Sequence, residues 1–95
     1  MADERLGHLE RLSDALSERG FGARLYAPGD GPPHLRVHNL AAPMLADWVV
    51  CARAQDGTWW FWWPWAQRIA PAEEIDEAAD RIARVLAAEE GGGRR

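Results

Sequence analysis

Three histidines are the residues whose type suggests metal coordination. His34 and His38 lie four residues apart, directly after Pro32 and Pro33, which favour an extended segment over a helix. Four residues of a strand span roughly 13 Å, too far for two imidazoles to share one ion. His8 belongs to a separate predicted helix, so three ligands would have to converge from two elements. The sequence therefore predicts no metal site and no cofactor.

The candidate nucleophiles are hydroxyl groups with no general base beside them. Ser13 and Ser17 fall on the first predicted helix and Thr58 in a turn, and none of them follows a strained elbow. Paired acids such as Glu73 and Glu74 occupy exposed positions of a predicted helix, which is typical of solvated charge. We therefore expect a protein that is not an enzyme.

The remaining chemistry is aromatic and cationic. Five of the six tryptophans lie between Trp59 and Trp65, a segment with the length of one strand. Because the side chains of a strand alternate between its faces, this segment has two apolar faces. One face holds Trp59, Phe61, Trp63 and Trp65. The other holds Trp60 and Trp62 and needs cover from a second layer, a second copy of the chain or a partner.

We expect this second set to lie on the sheet face opposite the helices, among cationic and polar residues of the other strands. The predicted interaction residues are Arg24, Tyr26, Arg36, His38, Arg53, Trp60 and Trp62. Guanidinium groups beside exposed rings can bind an acidic peptide, an anionic small molecule or stacked nucleobases. The structural alternative is that the arginines shield the rings from water, contributing a few tenths to about 1 kcal/mol each.

The composition is that of a small globular protein. For 95 residues with a formal net charge of −4, we expect one domain over residues 1–90 and a flexible tail at 91–95. The net charge disfavours general nucleic-acid binding, although seven of the 15 acids lie between Glu73 and Glu90 and leave the middle of the chain locally basic. The lone Cys51 is expected to pack as a small hydrophobe.

Two features of the sequence bear on its location. It has no apolar run of the roughly 18 residues that a membrane span needs, and its first residues lack the basic-then-apolar order of a signal peptide. We therefore expect a cytoplasmic protein with no membrane partner.

The elements that position these residues follow from hydrophobic periodicity. Leucines at three- and four-residue spacings predict a helix over residues 3–19, with Asp3 as its cap, and a second apolar stripe predicts a closing helix that starts at Pro71. Strands are predicted over residues 23–27, 35–40, 48–55 and 59–65. Asp56-Gly57 between two apolar runs predicts a hairpin that joins the last two strands.

The register of this hairpin has two solutions. A two-residue turn places Arg53 beside Trp60 and Cys51 beside Trp62, but it also places Pro64 where a backbone N–H is needed. Either the ladder ends near Trp63, or a bulged three-residue turn shifts the pairing by one residue. In both cases the predicted fold is α+β and two-layered, in the order α-β-β-β-β-α, with a four-stranded antiparallel meander sheet covered on one face by two helices.

The segment from Trp59 to Ile69, WWFWWPWAQRI, is followed by an Ala/Glu-rich helix and resembles small uncharacterised proteins of actinobacteria that carry a similar tryptophan strand. The use of arginine for all 11 basic residues fits a GC-rich genome. This likeness covers the C-terminal half and implies an association with regulatory proteins. The helix, meander and helix order resembles type III secretion chaperones in architecture, which implies binding of protein segments and dimerisation but transfers no residue role.

Together these features predict a non-enzymatic protein-interaction module. It would be homodimeric or bind a regulatory protein partner through the Trp/Arg-rich face. The alternative is a binding module for an anionic small molecule or single-stranded nucleic acid on the same face. Added salt separates the two, because phosphate binding weakens steeply with salt and an indole-centred protein interface does not.

Overall fold

A computed structural model describes residues 4–27 and 31–87. The elements are α1 (Glu4–Glu18), β1 (Phe21–Tyr26), β2 (His34–Asn39), β3 (Ala46–Arg53), β4 (Trp59–Trp62), β5 (Arg68–Pro71) and α2 (Ile75–Val85). The strands form one antiparallel sheet in the order β1-β2-β3-β4-β5, and both helices pack on one side of it. The α+β class and the meander are confirmed, and the predicted count of four strands is wrong. The predicted cap Asp3 and the tail at 91–95 lie outside the described residues.

One continuous core lies between the sheet and the helices. The stripe on α1 buries Leu9, Leu12 and Leu16 completely. The sheet contributes Leu35, Val37, Val49, Cys51 and Phe61, and α2 with its C-terminal end contributes Ala78, Ala79, Ile82 and Leu86. The apolar stripe that predicted this helix consists of Ile75, Ala78, Ala79, Ile82, Val85 and Leu86. Four of these residues are buried, whereas Ile75 is half-buried and Val85 is exposed. In the described part of the chain, neither helix is long and apolar enough to cross a membrane.

Asn39 is a buried polar residue at the edge of this core. Its Nδ2 donates to the carbonyl of Leu86 at 2.8 Å, and its Oδ1 accepts from the N–H of Ala41 at 2.8 Å. The first bond satisfies a carbonyl at the C-terminal end of α2, where carbonyl groups lack helical partners. The second orders the start of the β2–β3 connection. One side chain therefore joins the C-terminal end of α2 to the end of β2.

The strand that the sequence analysis missed is β5. Trp62 pairs with Arg68 and Phe61 pairs with Ala70, so a bulge leaves Ile69 as an extra residue. Ile69 and Ala70 are both buried, which breaks the alternation that identifies a strand. Pro71 ends this edge strand and does not start the helix, because α2 begins only at Ile75.

The β3–β4 hairpin has a three-residue loop. The N–H of Ala54 donates to the Thr58 carbonyl at 2.8 Å, and the N–H of Gly57 donates to the Ala54 carbonyl at 2.9 Å. Gly57 has a φ of 85°, the left-handed conformation that such a loop needs at its last position. The N–H of Thr58 also donates to Asp56 Oδ1, which lowers the pKa of that carboxyl group. The bulged alternative for this turn is therefore correct.

The longer loop moves Arg53 away from its predicted position. Arg53 pairs with Trp59 instead of Trp60, so it lies on the helix side of the sheet. Its guanidinium carbon is 4.9 Å from the centroid of the Trp59 ring, and its Nη2 is 3.8 Å from Glu4 Oε1. The prediction that Arg53 accompanies Trp60 and Trp62 is wrong, because a one-residue shift in register moves a side chain to the opposite face.

The β4–β5 turn repeats the same geometry without glycine. The N–H of Trp63 donates to the Gln67 carbonyl at 2.9 Å, and the N–H of Ala66 donates to the Trp63 carbonyl at 3.0 Å. Ala66 takes the left-handed position with a φ of 69°. Pro64 therefore lies in a turn, where its missing N–H costs no ladder bond. Trp65 also leaves the strand, and its ring stacks on that of Trp63 with centroids 5.3 Å apart.

Candidate functional site on the open sheet face

The open face is the side of the sheet opposite the helices, and it receives side chains from all five strands. Six of the seven predicted interaction residues lie on it: Arg24, Tyr26, Arg36, His38, Trp60 and Trp62. The registers place three further ring or guanidinium residues among them: His34, Trp48 and Arg68. No helix of the described residues covers this face.

The first aromatic group of the open face is formed by Tyr26, His34 and Trp48. The rings of Tyr26 and His34 are stacked with centroids 5.5 Å apart, and Trp48 meets both edge-on at 5.5 and 4.6 Å. Arg36 lies over Trp48, with its guanidinium carbon 5.4 Å from the ring centroid. These side chains come from three adjacent strands and form a half-exposed aromatic surface.

The second aromatic group belongs to β4 and β5. Arg68 lies over Trp60 at 4.8 Å, and Trp62 Nε1 donates to the Ala52 carbonyl at 3.1 Å. A shallow depression of about 400 Å³ adjoins these rings, lined by Ala54, Gln55, Trp62, Ala66 and Arg68. The shielding role predicted for the arginines is therefore seen at Arg68 and at Arg36.

A second depression lies at the β1–β2 end of the face. It measures about 350 Å³ and is lined by Gly22, Ala23, Arg24, Tyr26, Arg36, His38 and Leu40. Gly22 makes room for the imidazole opposite it, because a Cβ atom at Gly22 would lie 2.3 Å from Cε1 of His38. Glycine is thus required for the close approach of the His38 ring to the backbone of β1.

Apart from Tyr26, the ionisable side chains at the paired positions of the open face are all basic. They are Arg24, Arg36, Arg68, His34 and His38. Within residues 4–27 and 31–87, no carboxylate oxygen lies within 4.0 Å of the three guanidinium groups. Acids and their arginine partners lie with the helices instead, as in the 3.0 Å pair of Arg19 and Asp80.

Arg24 and Arg36 face each other directly across β1 and β2. Like charges in this position destabilise a pair of strands. Arg36 at least covers Trp48, whereas Arg24 stacks on no ring in the described part of the chain. Shielding of a ring therefore does not account for Arg24.

The histidines form no common site. His34 Nδ1 lies 3.3 Å from the Pro32 carbonyl, and His8 Nδ1 lies 2.7 Å from Arg11 Nη2. Desolvation first, and then the charge of Arg11, lowers the pKa of His8. The described residues contain no group of three or more His, Cys, Asp or Glu side chains that would hold a metal ion.

Two causes explain why the sequence analysis missed Trp48 and Arg68. The apolar run around Val49, Val50 and Cys51 gives no alternation, so only the loop length decides which face Trp48 takes. Arg68 can be assigned to this face only if β5 is recognised as a strand, and the bulge in β5 disrupts the alternation that would reveal it.

The chain matches no protein-family model, and no curated protein or solved structure is significantly similar to it.

Proposed function

We propose that this chain is a non-enzymatic, cytoplasmic protein-interaction module that binds an acidic region of a protein partner on its open face. One observation carries the proposal: in the described part of a chain whose net charge is −4, an uncovered aromatic face presents three guanidinium groups that have no carboxylate oxygen within 4.0 Å. Carboxylates of a partner could accept charge-assisted hydrogen bonds from these guanidinium groups. The neighbouring rings would supply the apolar contact area of a protein interface.

A homodimer through the open face is the less favourable form of this interaction. A twofold interface brings the same patch of both copies together. Since the side chains that carry charge at the paired positions of this patch are all basic, the two copies would repel each other there. An acidic partner turns the same charges into an attraction. A regulatory protein is the kind of partner that the resemblance to actinobacterial proteins suggests.

The shape of the face favours an extended partner over a small ligand. Its two depressions, of about 350 and 400 Å³, are shallow and lie at different strands. Small molecules are held in concave sites that enclose most of their surface. A polypeptide segment can contact both depressions and the rings between them.

The test uses the peptide acetyl-(Glu-Thr)5-amide, titrated against the protein while tryptophan fluorescence is recorded. We expect the double variant Arg24→Gln, Arg36→Gln to bind about tenfold or more weakly, because each charged hydrogen bond contributes about 1.5–3 kcal/mol. Arg84→Gln, which removes an exposed arginine of α2, is the matched control and should bind like the wild type. The double variant should also be slightly more stable to urea, since it lacks the opposed like charges.

Two further probes separate the alternatives. Acetyl-(Lys-Thr)5-amide has the same strand propensity with the opposite charge and should not bind. A ten-nucleotide oligo-dT tests the nucleic-acid alternative, which would show a steep decline of affinity with salt. Tighter binding of the oligonucleotide than of the acidic peptide, or equal losses in Arg84→Gln and the double variant, would overturn the proposal.

A further inference from the structure

The two edges of the sheet are protected to different degrees. The edge strand β5 has four residues, contains a bulge and ends in Pro71, and each of these features blocks pairing with another strand. The other edge strand, β1, has six residues and no proline, and pairs with β2 over six consecutive residues without a shift. No strand of the described residues lies on its outer side.

The outward backbone groups of β1 follow from the hydrogen-bond pattern of the ladder. The N–H of Leu40 donates to the Gly20 carbonyl at 3.3 Å, one position before the Phe21–Asn39 pair. Bonded and non-bonded pairs alternate in an antiparallel ladder. Gly22, Arg24 and Tyr26 are therefore bonded to β2. The N–H and C=O groups of Phe21, Ala23 and Leu25 point away from the sheet.

We propose that an extended acidic segment of the partner adds to β1 as a sixth strand, using these outward groups. This inference rests on the proposed function and specifies how the partner is held. Main-chain hydrogen bonds would provide affinity, and alternate side chains would provide specificity. The depression lined by Gly22, Arg24 and Arg36 borders the same edge and would receive the side chains that turn toward the open face.

Charge selects an acidic segment as the occupant. A residue of the added strand directly opposite Arg24 would have its Cβ about 4.5–5.5 Å away, on the same face. A carboxylate at that position would neutralise Arg24 and relieve its opposition to Arg36. Acidic residues at alternate positions of the segment would repeat this arrangement along the open face.

A second copy of the chain is a poorer occupant of this edge. When two β1 strands pair antiparallel about a twofold axis near their middle, the two Arg24 side chains fall opposite or diagonal to each other on one face. The like-charge opposition that already exists between Arg24 and Arg36 would then be extended to a third and a fourth guanidinium group. An acidic heterologous strand removes this repulsion.

Amide hydrogen exchange followed by NMR tests the proposal residue by residue. In the free protein, Ala23 and Leu25 should exchange fast and Gly22 and Arg24 slowly. With free acetyl-(Glu-Thr)5-amide at about ten times its Kd, exchange at Ala23 and Leu25 should slow about tenfold. Ala23→Pro removes one outward N–H and should weaken peptide binding, whereas the control Ala23→Val keeps the N–H and should not.

The outcomes distinguish this inference from the proposed function. If the peptide binds while Ala23 and Leu25 stay unprotected, strand addition is wrong and the open face alone binds the partner. If the peptide does not bind at all, the proposed function fails as well. If the two amides become protected without peptide as protein concentration rises, the edge joins two copies of this chain and the inference is overturned.

Discussion

Arg24 occupies a position that a sheet selected only for stability would give to another residue. It faces Arg36 and touches neither a carboxylate nor a ring in the described part of the chain. Arg53 forms the contrast, because it lies over Trp59 and near Glu4 on the other side of the sheet. Arg53 thus contacts a ring and lies near a carboxylate on the helix side, whereas Arg24 on the open face has neither in the described part of the chain.

His8 gives a pH dependence that can be measured at the level of one residue. Its pKa is lowered from the ordinary 6.5 by desolvation and by Arg11, against opposing contributions from Glu4 and Glu73. As pH falls through 6.5, the unfolded chain therefore takes up a proton that the folded chain resists. We therefore expect the free energy of unfolding, measured in urea, to decrease as the pH is lowered from 6.5 to the pKa of His8 in the folded protein. Below that pKa, His8 should cause no further decrease.

The control for this titration is His8→Gln, which keeps a polar side chain without a titrating ring. Its free energy of unfolding should show a shallower slope over the same pH range than that of the wild type. Parallel curves for the two proteins would show that His8 does not carry the effect.

At the scale of elements, the two hairpin turns form a matched pair. Both have a three-residue loop with the same hydrogen bonds, but the left-handed position holds Gly57 in one and Ala66 in the other. A Cβ in this conformation costs roughly 1 kcal/mol, which glycine avoids. The turn that presents Trp65 is therefore the more strained of the two.

Exchanging the two residue types should have opposite effects on stability. We expect Ala66→Gly to raise the free energy of unfolding by about 0.5 kcal/mol and Gly57→Ala to lower it by about 1 kcal/mol. A Cβ at Gly57 would meet no atom within 4 Å, so the second effect reports backbone strain and not a clash. Denaturant unfolding of both variants measures the difference, and a destabilising Ala66→Gly would contradict the interpretation.

The elements that could be predicted are those whose pattern is uninterrupted. The leucine stripe of α1 and the Ile82 side of α2 have helical spacing, and the alternation at Leu35 and Val37 defines a strand. Loop length was not predictable, because Asp56-Gly57 suits both a two-residue and a three-residue turn. The β4–β5 turn could not be predicted, because alanine at position 66 does not indicate a left-handed backbone conformation. These two turns decide the composition of the open face, which explains why Arg53 was misplaced and Arg68 was missed.

For the molecule as a whole, charge is divided between two layers. The helices carry most of the exposed acids, including Asp76, Glu77 and Asp80, and the open face of the sheet is basic. The acidic partner that we propose would meet the basic face, although the chain as a whole is negative. This division of charge opposes self-association through that face at low salt, because only like charges meet there.

Light scattering over a dilution series measures the mass of the protein in solution and so tests whether two copies associate. We expect a monomer at low salt. If the open face binds an acidic partner and not a second copy, the double variant Trp60→Ser, Trp62→Ser should also be a monomer. A dimeric wild type with a folded, monomeric variant would instead identify the tryptophans of the open face as a self-interface. Circular dichroism of both proteins checks that the comparison is between folded chains.

The hydrogen bond from Asn39 to the Leu86 carbonyl bears on how the chain reaches this structure during synthesis. Neighbouring strands of the meander are consecutive in sequence, so most of the sheet can form from short loops soon after each strand leaves the ribosome. The amide of Asn39, however, has to wait for an acceptor 47 residues downstream. In a nascent chain that ends before Leu86, water would hydrate this amide, and the apolar side of the sheet that α2 covers would stay exposed, which is a state that favours chaperone binding.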